Sequence, residues 1–459
     1  MSVKQRFQNS KVTVMGFGLF GGGASTARWL IEAGARVTIT DLRTADKLAP
    51  SLEAWNADPP GGEPPVWVLG EHREEDFTGA DWVVANPAVP PDHELLVAAR
   101  GAGAKVTSEM ELFLESCAAR LVLITGTQGK SSTAHILAGL LERSGHSVVL
   151  GGNIGHSLLA EAADLSEDTI AVVEISSYQL EALSEDAGRG RAEVVAITNV
   201  LADHLERHGS VAAYERAKAR ILEQLGPKGV AFLPVGLVER PRYRVPADGF
   251  VLTHSRTSGD CRVVEGRFRA DDLDLGAVSN LALPGSFQVD NAILALGMAS
   301  ELMCEADDLA RSLGQIKGLD HRMQSLGWID GIHVIDNGVS TTPDSTLAAL
   351  ASVSEPCTLM LGGQAKEGLS WNELVRQIKA RGTRVVAYGA SAQQIHWTLL
   401  QEGAEAWVET DLEQATRRAQ NETAEGGTLL FSPACASFDE FLNFKERSRA
   451  FHSHLRGYK

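Results

Sequence analysis

Cysteine is scarce and scattered in this chain. Its five residues (Cys117, Cys261, Cys304, Cys357, Cys435) form no C-x-x-C pair. That excludes a disulfide framework and a cysteine-built zinc site, and it fits a reducing compartment. Positive charge is also in deficit: 42 Lys and Arg against 59 Asp and Glu give a formal charge of −17. A nucleic-acid-binding face is therefore not expected, although anionic nucleotides can still be held in a locally positive cradle. No stretch approaches the ~18 apolar residues of a membrane span. The opening Met1-Ser-Val-Lys-Gln-Arg6 has no apolar signal core. A cytoplasmic location is expected, and neither internal repeats nor low-complexity tracts are present. Otherwise the composition is ordinary for a globular protein, 44% hydrophobic and 22% charged over 459 residues, enough for about two to four domains.

Strand-like runs alternate with helix-like ones, which predicts parallel α/β sheets. The first unit is Lys11–Met15, the turn Gly16-Phe-Gly-Leu-Phe-Gly21, a helix from about 24 to 33, and Arg36–Asp41. This is a G-x-G-x-x-G turn in a βαβ unit with an acid closing the second strand, a fingerprint of diphosphate geometry that does not select NAD over any other nucleotide. Pro59-Pro-Gly-Gly-Glu-Pro-Pro65 reads as a surface loop. A first boundary is expected near 107 and a second near Lys317–Arg322, beyond which new α/β units begin at Ile332–Asp336, Thr358–Gly362, Arg384–Tyr388 and Thr428–Phe431.

The most informative stretch is Gly126-Thr-Gln-Gly-Lys-Ser-Ser132. It follows the apolar run Leu121–Thr125 and precedes a helical pattern from Thr133 to Leu141. Strand, Gly-rich turn, Lys-Ser and helix together form a phosphate cradle: backbone amides and the helix N-terminus face an anion, the lysine adds charge, and the hydroxyl can hold Mg²⁺. The spacing departs from the ordinary P-loop, with Ile124 standing at the first glycine position. Ile170–Glu174 is a buried-strand pattern ending in a carboxylate, where a Mg²⁺ ligand should sit beside a phosphate loop. Val194–Thr198 runs into Asn199-Val-Leu-Ala-Asp-His204 at the same sheet edge. Taken singly, Glu174 could be a helix-start acid and His204 a solvated loop residue; beside Lys130 the pair reads as a metal and phosphate site.

These stretches, with Gly151–Gly155, Glu174–Glu181, Leu283 to Asn291, Gly318–Arg322 and Ser432-Pro-Ala-Cys-Ala-Ser437, resemble the Mur ligase family of ATP-dependent amino-acid ligases over the full length. The resemblance implies three domains. A Rossmann-like UDP-sugar domain would span 1–107, a P-loop-type ATPase domain with a parallel sheet 108–318, and a Rossmann-like amino-acid domain 319–459. It implies that Gly126, Thr127, Gln128, Gly129, Lys130, Ser131 and Ser132 hold the ATP phosphates, with Asn291 at adenine, Arg322 at the γ-phosphate and Asp336 at the ribose. Two Mg²⁺ ions would be held by Ser131 and Glu174 and by His204, with Lys218 carried as a carbamate beside them. Lys130, His204, Lys218 and Arg322 would form the catalytic set.

Leu19, Phe20, Asp41, Arg43 and Asn86 would line the uridine diphosphate site, and Asn153, Ser176 and Gln179 would meet the rest of that substrate. Ser340, Lys366, Ser437 and Phe444 would receive the amino acid, with a helix starting at Ser437 turning its amides to the side-chain carboxylate. The implied reaction, by a monomer, joins D-glutamate to UDP-N-acetylmuramoyl-L-alanine through an acyl phosphate in peptidoglycan precursor synthesis, and so serves cell-wall biogenesis, shape and division. Closure of the third domain would assemble the site.

Two departures bear on the amino acid. Gly338 stands where the family's D-glutamate branch has a lysine, and Ser340-Thr-Thr-Pro343 is similar to a branch that adds L-glutamate. Restoring a lysine at 338 would then tighten glutamate binding. Phe287-Gln288 also replaces the usual His-Asn. The alternatives are ligation of L-glutamate and a non-catalytic nucleotide-binding protein on the same scaffold; an NAD-dependent dehydrogenase would leave the second phosphate turn unexplained.

Overall fold

The computed structural model describes residues 3–458 apart from 20, 154–156, 185, 186, 188, 202, 247, 284, 367, 368 and 405, and apart from the side chain of Leu205. The chain forms two compact units, one of residues 1–281 with 290–315 and one of residues 282–289 with 316–459.

The first unit holds two sheets. Lys11–Met15 (β1), Arg36–Asp41 (β2), Val66–Leu69 (β3), Trp82–Ala85 (β4) and Lys105–Thr107 (β5) pair in parallel in the order β3-β2-β1-β4-β5. The helix after the glycine turn covers Gly22–Glu32. The second sheet is built from Arg120–Thr125 (β6), Val148–Gly152 (β7), Ile170–Glu174 (β8), Ala192–Ile197 (β9), Leu225–Pro234 (β10), Phe250–His254 (β11), Cys261–Val264 (β12), Arg267–Ala270 (β13) and Leu273–Ala277 (β14). Its order is β14-β13-β12-β11-β10-β9-β6-β8-β7. The central strands β6, β8 and β9 are almost wholly buried, which is why they read as apolar β-branched runs rather than alternating ones.

The second unit holds Gln324–Ile329 (β15), Ile332–Asp336 (β16), Cys357–Gly362 (β17), Arg384–Tyr388 (β18), Ala406–Val408 (β19) and Thr428–Ala434 (β20), in the order β15-β16-β20-β17-β18-β19. The parallel expectation holds for the strands that carry chemistry and is incomplete elsewhere. β12, β13 and β14 form an antiparallel meander, and β15 pairs antiparallel to β16. These short strands alternate too briefly to announce a sheet from sequence. In each sheet the motif residues follow the C-terminal ends of parallel strands, where open α/β sheets bind ligands.

Candidate active site

The turn from Gly126 to Gly129 leaves β6 and opens the helix Lys130–Arg143. Gly129 lies at φ +81°, and a Cβ there would stand 2.3 Å from Asn291 Oδ1, so only glycine fits. The neighbouring loop anchors this turn. Thr127 N donates to Asn199 O at 2.9 Å and Gln128 N to Asn199 Oδ1 at 3.0 Å, while Thr198 Oγ1 and Asn199 Nδ2 donate to Gln128 O at 2.5 and 3.0 Å. The amides of 127 and 128, expected to face phosphate, are thus spent on the protein, because the Asn199 loop supplies their acceptors. The donors suited to an anion are those of the helix's first turn, which an α-helix leaves without intrahelical acceptors. Lys130 Nζ lies 2.9 Å from Thr127 O, which keeps its charge at the turn. Ser132 Oγ is buried and has no partner among the described residues.

Glu174 ends β8 and is buried. Ser131 Oγ donates to its Oε2 at 2.6 Å and Asn153 Nδ2 to its Oε1 at 2.8 Å. A hydroxyl and a carboxylate in contact beside a phosphate turn are the hard oxygen donors that suit Mg²⁺. Ser176 and Gln179 instead face each other: they form the capping box that starts the helix Ser177–Ala182, with Gln179 N on Ser176 Oγ at 3.2 Å and Ser176 N on Gln179 Oε1 at 2.9 Å.

His204 sits at φ +50° after β9, with Nδ1 3.1 Å from Tyr178 Oη, and with Asp203 and Glu206 carboxylates at 3.5 and 3.4 Å. Lys218, on the helix Val211–Ala219, is only 1% exposed. Its Nζ donates to Gly126 O at 2.6 Å and lies 4.6 Å above the Tyr214 ring. Burial, and then the neighbouring Lys130 charge, push its pKa down to about 6, against the pull of Asp203 and Glu174. Lys130, Glu174, Asp203 and Lys218 therefore share one electrostatic neighbourhood. Tyr214 braces it: its hydroxyl donates to Thr127 Oγ1 at 3.1 Å, and burial raises its pKa to about 12.

At the first sheet, Asp41 is buried at the end of β2 and supports the glycine turn, accepting from Gly18 N at 2.9 Å and Arg43 N at 2.8 Å. Asn86 backs Gly16 from across the sheet, 3.0 Å from where a Cβ would stand. Leu19 is half-buried in the turn; Phe20 lies outside the described residues.

In the second unit the amino-acid residues stand on three strand-end loops. Gln364 and Ala436 exchange backbone hydrogen bonds at 2.9 Å each, which ties the loop of Lys366 to that of Ser437. Lys366 is exposed. Ser340 is buried, its hydroxyl 2.6 Å from Ser345 Oγ and 2.9 Å from Thr346 Oγ1. Thr342 and Pro343 begin the helix Pro343–Leu350, Thr342 as N-cap, so half of the Ser-Thr-Thr-Pro signature is a helix start.

Two expectations are corrected here, the helix starting at Ser437 and the open place for a lysine at 338. No helix begins at Ser437; a turn follows, and the nearby helix Phe444–His454 starts at Phe444 under an Asn443 cap. Asp336 is 0% exposed and already accepts from His321 Nδ1 and His452 Nε2 at 2.7 Å each, from Gly338 N at 2.8 Å and from Ser448 Oγ at 3.2 Å. A ribose contact would have to displace one of these donors. Burial alone would raise the pKa of Asp336, but the hydrogen bonds from both rings and the amide hold it below the usual range. Two imidazoles and a carboxylate are a donor set that divalent metals accept, yet this carboxylate is complete without an ion. Finally, a Cβ on Gly338 would stand 1.9 Å from Ser448 Oγ, so a lysine cannot simply be restored there. Arg322 lies half-buried in the turn that precedes β15.

Two arginines escaped the sequence reading. Arg207 donates to Glu181 Oε2 at 2.9 Å and to the carbonyls of Ala88, Val89 and Pro87 at 2.7, 3.1 and 3.3 Å. It thereby fastens the loop after Asn86 to the segment of His204. Its nearness to His204 in the motif was the available signal. Arg447, on the Phe444–His454 helix, is fully buried.

The Mur ligase middle domain family matches residues 124–299, and the Mur ligase MurD-like N-terminal domain family matches residues 10–108. The UDP-N-acetylmuramoylalanine--D-glutamate ligase of Roseiflexus sp. (strain RS-1) is 33% identical over 461 residues, covering 96% of this chain and 97% of that protein. The protein of the same name from Trichlorobacter lovleyi is 35% identical over 450 residues, covering 97% and 98%. Among solved structures, the UDP-N-acetylmuramate-alanine ligase MurC of Thermotoga maritima superposes with a TM-score of 0.62 at 19% identity, over 98% of this chain and 100% of that one. MurF of Acinetobacter baumannii gives 0.59 at 16% identity, over 98% and 92%. Fold, cradle and relatives together define a three-domain α/β enzyme of the ATP-dependent ligase class, one that joins a carboxylate to an amine. The chain belongs to the Mur ligase family, with an N-terminal domain of the MurD-like kind.

Proposed function

We propose that this ligase adds D-glutamate to UDP-N-acetylmuramoyl-L-alanine in the cytoplasm, releasing ADP and phosphate. The observation that carries this reading is the Lys130, Ser131, Glu174 and Lys218 neighbourhood at the end of the second sheet, on a chain whose full-length relatives bear that ligase's name. No helix among the described residues is long and apolar enough to cross a membrane. Domain limits at 107/108 and 318/319 remain our division, with the uridine diphosphate on the first, ATP on the second and glutamate on the third.

The substrate carboxylate would attack the γ-phosphate of ATP, giving an acyl phosphate and ADP. The amine of glutamate would then attack the acyl carbon and expel phosphate. Ser131, Glu174 and His204 would hold two Mg²⁺ ions, which when bound neutralise the charge that keeps one anion from approaching another. Lys130 and the first-turn amides would carry the rest of that task by position and field. Lys218 is suited to carbamylation because only a neutral amine adds CO₂, and its pKa near 6 leaves it neutral at pH 7. Arg322 is kept as the γ-phosphate contact, while Ser437, Lys366 and Phe444 are kept for glutamate.

The test measures ADP release with UDP-sugar and each glutamate enantiomer at equal concentration. D-glutamate is expected to be preferred. A preference of about tenfold for L-glutamate, roughly 1.4 kcal/mol, overturns the stereochemical claim. ADP release without glutamate, or none with either enantiomer, overturns the ligase assignment.

A further inference from the structure

Arg447 is the largest charged side chain in the interior of the second unit, 0% exposed on the helix Phe444–His454. Its guanidinium does not meet a carboxylate: among the described residues it has no ion-pair partner, and Nε has no hydrogen-bond acceptor. Its remaining donors go to three carbonyls, Cys435 O at 3.0 Å and Gly362 O at 3.4 Å from Nη1, and Gly338 O at 3.1 Å from Nη2. A buried guanidinium satisfied only by backbone is costly to keep. A core that needed no more than packing would carry an apolar residue there.

The three carbonyls are not arbitrary. They belong to the ends of β16, β17 and β20, adjacent in the sheet at its carboxyl edge. Gly338 precedes Ser340 by two residues, Cys435 precedes Ser437 by two, and Gly362 precedes Lys366 by four. Phe444, the fourth residue placed at glutamate, is three residues before Arg447 on the same helix. Lys366 and Ser437 are further tied by the Gln364–Ala436 bridge, which continues from the anchored carbonyls. The space for the guanidinium is also made to measure: a Cβ on Gly363 would stand 2.9 Å from Nη1. A planar fork with several fixed donors can hold three loops at once, whereas a lysine ammonium on its flexible stem cannot reproduce that geometry.

We propose that Arg447 is a positioning residue for the amino-acid subsite: it fixes the backbone from which Ser340, Lys366 and Ser437 project. The inference rests on the assignment of glutamate to these loops. Arg447 does not itself touch the amino acid, because it is closed off from solvent.

The experiment uses full-length Arg447→Lys, Arg447→Gln and Arg447→Met, each checked for cooperative thermal unfolding, with KM measured separately for glutamate, ATP and UDP-sugar by ADP release. The expected result is a glutamate KM raised at least about tenfold, with the other two KM values within about threefold and with lysine no better than glutamine, since neither can span the three carbonyls as the planar fork does. Unchanged glutamate KM in a folded variant overturns the proposal. So does a parallel rise of all three KM values, or failure of every variant to fold, because the arginine would then support the whole unit and not the subsite. Ser437→Ala is the control for the underlying assignment. If it leaves the glutamate KM unchanged, the loops do not bind glutamate and that reading fails, whatever Arg447 does.

Discussion

Lys218 shows how one side chain can be held at odds with its own chemistry. An ammonium buried against Tyr214 and beside Lys130 is unfavourable, and the native pKa falls from 10.5 to about 6. Between those two values the unfolded chain binds a proton that the native chain does not, so native stability rises with pH across that window and reaches its low plateau below about 6. Lys218→Met should remove that slope, on the order of 1.4 kcal/mol per pH unit. It should unfold no earlier than wild type at pH 6 while losing ligation. Thermal unfolding from pH 6 to 9 on both proteins checks this, and equal slopes would contradict it. Lys218→Ala should be nearly inactive and partly rescued by short carboxylates that replace the carbamate oxygens. Gly338 is a second residue whose meaning is spatial. Gly338→Ala drives a Cβ into Ser448 Oγ, which is itself bonded to Asp336. We expect a loss of about 1–3 kcal/mol, the usual range for overpacking, and partial recovery in Gly338→Ala/Ser448→Ala. Additive effects in that double-mutant cycle would argue against direct contact.

At the scale of elements, the phosphate turn and the Thr198–Asp203 loop are one device, because the loop's side chains and backbone take up the turn's amides and carbonyl. Further along the same segment, Arg207 bonds three carbonyls of the Asn86–Val89 loop and pairs with Glu181. The loop that would face uridine diphosphate is thus fastened to the element that carries His204. Arg207→Ala should raise the KM for UDP-sugar about tenfold, since a single hydrogen bond to a charged group contributes ~1.5–3 kcal/mol. The KM for glutamate should stay within about twofold under the same reading. An unchanged UDP-sugar KM would mean that the contact is incidental.

Across the whole molecule, the three sheets offer three separate carboxyl edges, so damage to one should spare binding at another. Lys130→Ala should lower turnover ~10²–10³-fold, the scale of losing one preorganised charge contact. Calorimetric affinity for UDP-sugar should remain within a few-fold of wild type. Retention of a tenth of wild-type turnover would remove Lys130 from the cradle.

Much of this plan is legible in the sequence. The buried parallel strands β1, β6, β8, β16 and β17 are announced by apolar runs, and the phosphate turn by its glycines and Lys-Ser, because those features depend on residues adjacent in the chain. Local order also sufficed to set Glu174 at a strand end and His204 in the loop beyond β9. What a side chain finally bonds to is decided elsewhere. Asp336 receives His321 and His452, the Thr127 and Gln128 amides go to Asn199, and Arg447 gathers carbonyls of Gly338, Gly362 and Cys435. Those partners are separated by 12 to 116 residues in the chain. Nothing in local spacing encodes such meetings. Only the tertiary packing, which must satisfy every buried donor and acceptor at once, selects among them.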